Sequence, residues 1–320
     1  MKLITILVPA YNEEKVLDML YERISNVAYE LPGYNIEILF INDGSSDHTL
    51  NTIKSLREFD RRISYVDLSR NYGKETAMAA GFDYAKGDAV IIMDADLQHP
   101  PELIPEMIKY WELGYEDVYA KRIKREGENW LKKFTSKKYY QFLQKTTRIH
   151  ILPDAGDFRL LDRRCVDALK LLRESQRYTK GMYSWIGFNK KEIEYEAAPR
   201  AGGDTKWSYS NLIELALEGI TSFTTFPLRL SSIMGFIISI LSFIYLLVII
   251  FQTLLFGTNV SGYPSLMVVI LFLGGIQLIS LGIIGEYLGR IFNETKNRPL
   301  YFVEEYNNQK ELKQYEKRLS

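Results

Sequence analysis

Over residues 1 to about 200, short apolar runs rich in β-branched residues alternate with helix-length amphipathic segments. The pattern predicts strands over 3–8, 37–42, 63–68, 89–94 and 117–120, and helices over 14–28, 47–59, 74–85 and 101–113. Strand, helix, strand at this spacing gives an α/β domain with a mostly parallel sheet and right-handed crossovers. Ligands of such sheets bind beyond the carboxyl ends of the strands. Four loops fall there: PAYNEE, NDGSSD, SRNYGKE and DADLQHPPE.

The pattern changes near Pro227. No charged residue occurs over 230–256, nor over 264–285. Each run reaches the ~20 apolar residues needed to cross a bilayer. Arg229 precedes the first run, and Arg290, Lys296 and Arg298 follow the second. Positive charge at both ends predicts a two-helix hairpin whose termini face the cytoplasm. Gly274, Gly275, Gly282 and Gly285 would let helices pack closely. Before the hairpin, Leu212, Leu215, Ala216, Ile220 and Phe223 follow helical spacing behind Trp207 and Tyr209, as in an interfacial helix. A second amphipathic segment, 129–148, carries Lys132, Lys133, Lys137, Lys138 and Lys145 among aromatic residues and suits an anionic lipid surface. The organisation expected is a cytoplasmic α/β domain over 1–206, an interfacial helix over 207–226, two membrane helices within 227–290 and a cytoplasmic tail over 291–320.

Composition narrows the partners. Lysine plus arginine and aspartate plus glutamate both total 40, so net charge points to no polyanion, and no nucleic acid is expected. The single cysteine, Cys165, excludes an intrachain disulfide and reads as a small core residue. His48, His99 and His150 have no zinc-ligand spacing. The N-terminal apolar run is short, and Asn12, Glu13 and Glu14 follow it, so it is no signal peptide.

The chemistry concentrates in the loops. Asp94 and Asp96 form an acid-x-acid pair at a strand end, where alternation would set both on one side. Two such carboxylates repel unless a cation sits between them. Hard oxygen donors suit Mg²⁺ or Mn²⁺ completed by phosphate oxygens, and Gln98 offers one more oxygen. Neither GxGxxG nor GxxxxGKS/T is present, so the dinucleotide and P-loop readings fail. Asp43 could accept from a base edge, Tyr11 could stack or contact a ribose, and Asp47 reads as a helix cap.

Taken in order, VPAYNEE, INDGSSD, LSRNYGKE, DADLQHPPE, DAGDFRLLDRR, PRAGGDTKWS and LFLGGIQLISLGIIGEYLGR resemble the family-2 glycosyltransferases of the GT-A fold. Within them the likeness is to polyprenyl-phosphate hexosyltransferases, the bactoprenol glucosyltransferases and dolichyl-phosphate mannose synthases. The resemblance implies a Rossmann-like GT-A sheet with interfacial helices and a membrane hairpin. It implies that Pro9, Tyr11, Glu13 and Asp43 hold the nucleoside. Asp94, Ala95 and Asp96 would meet the sugar nucleotide, with Asp94, Asp96 and Gln98 as metal ligands. Arg122, Arg200 and Lys206 would meet its phosphates. Ser136, with Lys132 and Lys133 on the same basic segment, would meet the acceptor phosphate, and Asp157 matches the proposed catalytic base. The expected partners are a nucleotide sugar, a polyprenyl phosphate and membrane lipid, and the spans could carry homo-oligomer contacts.

UDP-glucose is the lead donor by this resemblance, ahead of UDP-N-acetylglucosamine and GDP-mannose. A processive polysaccharide synthase would need a QxxRW signature, which is absent. A catalytically dead scaffold or flippase partner would not need the acids and bases just named. Asp157 could alternatively be a buried acid paired with Arg159 or Arg163.

Overall fold

A computed structural model describes residues 1–122, 155–196, 224–256 and 262–310. The basic segment around Ser136, Lys132 and Lys133, the loop with Arg200 and Lys206, and most of the expected interfacial helix lie outside them. Chain contacts define two units, Met1–Glu214 with Pro299–Ser320, and Leu215–Arg298.

In the first unit, the five expected strands form: β1 (Lys2–Ala10), β2 (Tyr34–Asn42), β3 (Ile63–Leu68), β4 (Ala89–Ile92) and β5 (Asp117–Arg122). Four more join them: β6 (Ala155–Asp162), β7 (Lys190–Tyr195), β8 (Val303–Tyr306) and β9 (Gln309–Lys310). The order is β7-β5-β6-β4-β1-β2-β3-β8-β9. Strands β4, β1, β2 and β3 run parallel, while β6 lies antiparallel between β4 and β5. The fold is therefore mixed α/β with a mostly parallel central sheet, as expected.

Alternation along β1 builds the two sides. Ile4, Ile6 and Val8 face one core with Leu17, Leu20 and Ile24 of α1 (Leu17–Tyr29) and Ile53 of α2 (Thr49–Phe59). Leu7 faces the other core, with Ala77, Met78 and Phe82 of α3 (Lys74–Tyr84). Helix α4 (Ile104–Glu112) follows a 3₁₀ turn over Pro101–Leu103 and packs on the first side. A Cβ added at Gly81 would lie 2.2 Å from Leu7 Cδ1, so α3 sits as close to the sheet as a helix can.

Helices α5 (Arg163–Leu171) and α6 (Thr179–Trp185) follow β6. Between β5 and β6 lies an enclosed ion pair. Arg159 Nη1 is 3.0 Å from Asp117 Oδ2, with the side chains 2% and 0% exposed. The Arg159 guanidinium also stacks 3.7 Å above the Tyr183 ring centroid and donates to the Gly156 carbonyl at 3.0 Å. Arg163 instead donates to the carbonyls of Ala85 and Gly87. Neither arginine is bonded to Asp157.

Strand β8 comes from the tail, which sequence reading left without a role. It pairs antiparallel with β3, matching Val66 with Tyr306 and Leu68 with Val303. Tyr301 is buried and donates to Asp83 Oδ2 at 2.6 Å, and Ser69 N donates to Phe302 O at 3.0 Å. Residues on both sides of the hairpin thus belong to one sheet.

The second unit contains α7 (Phe226–Phe256) and α8 (Tyr263–Thr295), both long and apolar enough to cross a membrane. Large side chains such as Phe236, Phe243, Leu254 and Leu278 are exposed on them. Such a surface is stable in lipid and not in water. Tyr287 donates to the Thr224 carbonyl at 2.6 Å, tying α8 to the start of α7. A Cβ at Gly274, Gly275, Gly282 or Gly285 would meet nothing within 4 Å, so close packing at these glycines is not what joins the two helices.

Two outcomes are expected. Asp117→Ala leaves Arg159 buried and unpaired, at a cost of about 3–5 kcal/mol. The melting midpoint of the detergent-solubilised protein should fall, and an unchanged midpoint contradicts the role of the pair. A chain ending at residue 298 keeps both membrane helices but loses Tyr301 and β8. Its first unit should lose at least about 3 kcal/mol, the scale of one buried aromatic, read as earlier thermal unfolding.

Candidate active site

The strand order reverses between β1 and β4, since β2 and β3 lie on one side of β1 and β4 on the other. The crevice of an open α/β sheet forms at such a reversal, at the carboxyl ends. PAYNEE follows β1 there, and DADLQ follows β4.

The first two loops are stitched together. Asn12, at φ 55°, receives the Ser46 amide on Oδ1 at 2.9 Å and donates its own amide to Ser45 Oγ at 3.0 Å. Glu13 N donates to Thr49 Oγ1 at 2.8 Å, and His48 N donates to Glu14 Oε2 at 2.9 Å. Pro9 pairs in register with Ile41, and Tyr11 is left exposed on the rim. Asp47 accepts the amides of Thr49 at 3.0 Å and Glu14 at 3.3 Å, but the N-cap position of α2 is His48, so Asp47 sits one residue before the cap expected of it.

Asp43 does more than the sequence suggested. It is 3% exposed. Its carboxylate accepts Tyr72 N at 2.7 Å and Gly73 N at 2.9 Å, which fixes the third loop. Burial pushes its pKa up, and the two amides and Arg70 only partly oppose that. Gly44 makes this approach possible: its φ is +62°, and a Cβ there would lie 2.4 Å from the Arg70 carbonyl carbon. The third loop then delivers Lys74 at the start of α3.

Strand β4 ends at Ile92, two residues short of the expected end at 94. Met93 N still donates to Leu7 O at 3.0 Å, after which the chain turns, with Leu97 at φ 60°. The alternation survives without the strand. Asp94, Asp96 and Gln98 are half-buried, while Ala95, Leu97 and His99 are buried. The turn is held by Gln98 N donating to Asp96 Oδ1 at 3.1 Å and by Asp94 N donating to His99 Nδ1 at 3.0 Å. His99 stacks on Phe158 with ring centroids 4.9 Å apart, and burial holds its pKa low although Asp94 opposes that.

Strand β6 brings the third acid. Its register matches Ile92 with Arg159, and continuing that antiparallel pairing sets Asp94 opposite Asp157. Lys74 lies between them: Nζ is 2.6 Å from Asp94 Oδ1 and 2.8 Å from Asp157 Oδ2. Burial pulls the Lys74 pKa down, but Asp157 and Asp94 outweigh it and hold the ammonium well above the ordinary lysine range. Burial pushes the Asp157 carboxyl up, but Lys74, Lys180 and Arg159 outweigh it and hold it well below the usual carboxylate range. The neighbouring Glu75 accepts the amide and hydroxyl of Thr179, and burial raises its pKa, with Asp157 adding to the rise.

The structure thus brings Asp94, Asp96 and Gln98 of one turn near Asp157, with Pro9 at the end of β1 and Tyr11, Glu13 and Asp43 on the adjoining loops. Arg122 ends β5. Lys74 was not among the residues read as functional. The signal for it was its place at the end of SRNYGKE, a loop that follows a strand as the other three do. A hard divalent cation suits the donors present, two carboxylates and an amide oxygen. Among the described residues, no group of three or more His, Cys, Asp or Glu side chains forms a metal cluster. A cation here would therefore complete its shell with water and substrate phosphate, which is the habit of Mg²⁺.

Residues 5–169 match glycosyl transferase family 2, and residues 226–291 match the GtrB C-terminal hairpin. An uncharacterized glycosyltransferase of Synechocystis sp. is 49% identical over 94% of this chain and 94% of its own length. A prophage bactoprenol glucosyl transferase homologue of Escherichia coli is 44% identical over 94% of this chain and 98% of its own. A bactoprenol glucosyl transferase of Shigella phage SfII is 45% identical over 94% of this chain and 97% of its own. With its mostly parallel sheet and carboxylate-lined crevice, the chain belongs to glycosyl transferase family 2 and carries a GtrB C-terminal hairpin over 226–291.

Proposed function

We infer that the protein transfers a hexose, glucose from UDP-glucose in the leading case, to undecaprenyl or another polyprenyl phosphate, with inversion, on the cytoplasmic face of the plasma membrane. The observation that carries this reading is the Asp94–Lys74–Asp157 arrangement at the β1/β4 crevice, in a chain that continues into two lipid-compatible helices. The bactoprenol glucosyl transferases that resemble it along almost their full length support the choice of sugar and acceptor.

The nucleoside would rest against Pro9, Tyr11, Glu13 and Asp43, with Ala95 beneath the sugar nucleotide. Asp94, Asp96 and Gln98 would hold Mg²⁺ or Mn²⁺. That ion, when bound, neutralises charge on the departing diphosphate. Arg122, Arg200 and Lys206 would share that load, and Ser136, Lys132 and Lys133 would meet the acceptor phosphate. The acceptor is a phosphate monoester with a second pKa of about 6, so its oxygen is already largely deprotonated at neutral pH. Asp157 is bonded to an ammonium and is a poor proton acceptor. Its role here is to orient the acceptor and stabilise positive charge developing at the anomeric carbon. One in-line displacement inverts, so an α-linked donor gives a β-linked product. The transition state would resemble the oxocarbenium ion of glycoside hydrolysis.

The tail supports the topology. Strands β1 to β7 share one sheet with β8 and β9, so the parts of the chain before and after the hairpin would lie on the same side of the membrane. The chain between them must then cross an even number of times, as a two-helix hairpin does. Arg229, Arg290, Lys296 and Arg298 favour the cytoplasm for that side. The hairpin would keep the 1–206 catalytic domain near the lipid acceptor and raise its effective concentration.

Membranes carrying the protein, given undecaprenyl phosphate and labelled UDP-glucose, UDP-N-acetylglucosamine or GDP-mannose in turn, should label lipid best from UDP-glucose, with a β linkage. Label chiefly from another donor overturns glucose, and label from none overturns the transferase reading. Asp96→Ala is expected to lower turnover by at least about 10²-fold. Wild-type turnover in Asp96→Ala with Mn²⁺ supplied contradicts the metal role.

A further inference from the structure

Lys74 is held in place from its backbone outward. The Gly73 amide before it is bonded to Asp43, and α3 behind it is pressed onto β1 at Gly81. Its two partners are unequal. The Asp94 side chain is 27% exposed and that of Asp157 only 11%, while Lys74 itself is 42% exposed. Solvent screens the bond to Asp94 more, so it is the one more readily exchanged. A second observation lies on Asp157. Its Oδ2 is taken by Lys74, while Oδ1 is buried with no hydrogen-bond partner among the described residues. An enclosed carboxylate oxygen without a partner is costly, and such an atom marks a place where a ligand is received.

We propose that Lys74 is a placeholder cation and a positioning residue. Its ammonium bridges Asp94 and Asp157, on the Asp94 carboxylate that a divalent cation would also use. When a divalent cation takes Asp94, Lys74 gives up that bond, stays on Asp157 and keeps Oδ1 aimed at the reacting centre. The second half of this rests on the transfer reaction proposed above. The competition for Asp94 does not.

The test uses full-length protein in detergent and Mn²⁺ alone, with free Mn²⁺ counted by electron paramagnetic resonance. Lys74→Gln removes the competing ammonium and should bind Mn²⁺ about five-fold more tightly, the scale of one partly exposed ion pair. Its kcat for sugar transfer at saturating Mn²⁺ should fall on the order of 10²-fold. A merely structural lysine would weaken both together. Lys74→Arg keeps the charge, so its Mn²⁺ affinity should stay within about two-fold of wild type and most of kcat should return. If Lys74→Gln does not fold, a Lys74→Arg protein whose Mn²⁺ affinity departs more than about five-fold from wild type, or whose kcat falls on the order of 10²-fold, overturns the proposal. Mn²⁺ binding in Lys74→Gln that is equal to wild type or weaker, or absent from every form, overturns the placeholder role. A kcat in Lys74→Arg as low as in Lys74→Gln, or a normal kcat in Lys74→Gln, overturns the positioning role. Wild-type protein that binds Mn²⁺ but transfers no sugar sinks the reaction and leaves the competition for Asp94 standing.

Discussion

The ion pairs of Lys74 with Asp94 and Asp157 join three elements that come from distant parts of the chain: the start of α3, the turn after β4 and the first residues of β6. Two carboxylates this close would repel each other without the ammonium. With it, both are held at the mouth of the sheet. Three further contacts put that ammonium there. Asp43 accepts the amides of Tyr72 and Gly73, Gly44 lets the second and third loops touch, and Gly81 lets α3 press against Leu7.

The same chain of support reaches the far edge of the sheet. β3 runs straight into the loop that carries Lys74, and β8 covers the edge of β3. The segment that supplies β8 follows the two long apolar helices, so the edge of the sheet is completed only after both have been made. On the opposite flank, β6 holds Asp157 through pairing with β4 and through the enclosed Arg159–Asp117 pair. Two acids on neighbouring strands thus do different work. Asp117 neutralises a buried guanidinium, and Asp157 keeps one oxygen without a partner among the described residues.

Much of this was legible in the sequence. Strands β1 to β4 are largely buried on both faces, so their apolar runs stand out, and the loops after them carry the polar residues that line the crevice. The strands that were missed are charged. β6 (AGDFRLLD), β7 (KKEIEY) and β8 (VEEY) have no long apolar run, because β6 carries Asp157 and Arg159 and the others lie toward the sheet edges, where charge protects against association. The roles of Asp43 and Lys74 were hidden for another reason. Both act across loops far apart in sequence: Asp43 accepts from Tyr72, 29 residues on, and Lys74 reaches Asp157, 83 residues on. No spacing rule reports such contacts. The strand-alternation argument for Asp94 and Asp96 reached a fair result from a wrong premise: a turn presents the two acids, held by the Asp96–Gln98 and Asp94–His99 bonds.

A structure of the protein with Mn²⁺ and UDP, with Mn²⁺ located by anomalous scattering, decides whether this crevice works as described. The expected result is Mn²⁺ on Asp94 and Asp96, with the Lys74 ammonium displaced from Asp94 and still bonded to Asp157. Mn²⁺ bound away from both aspartates, or Lys74 still bridging Asp94 and Asp157 beside a bound metal, would contradict it.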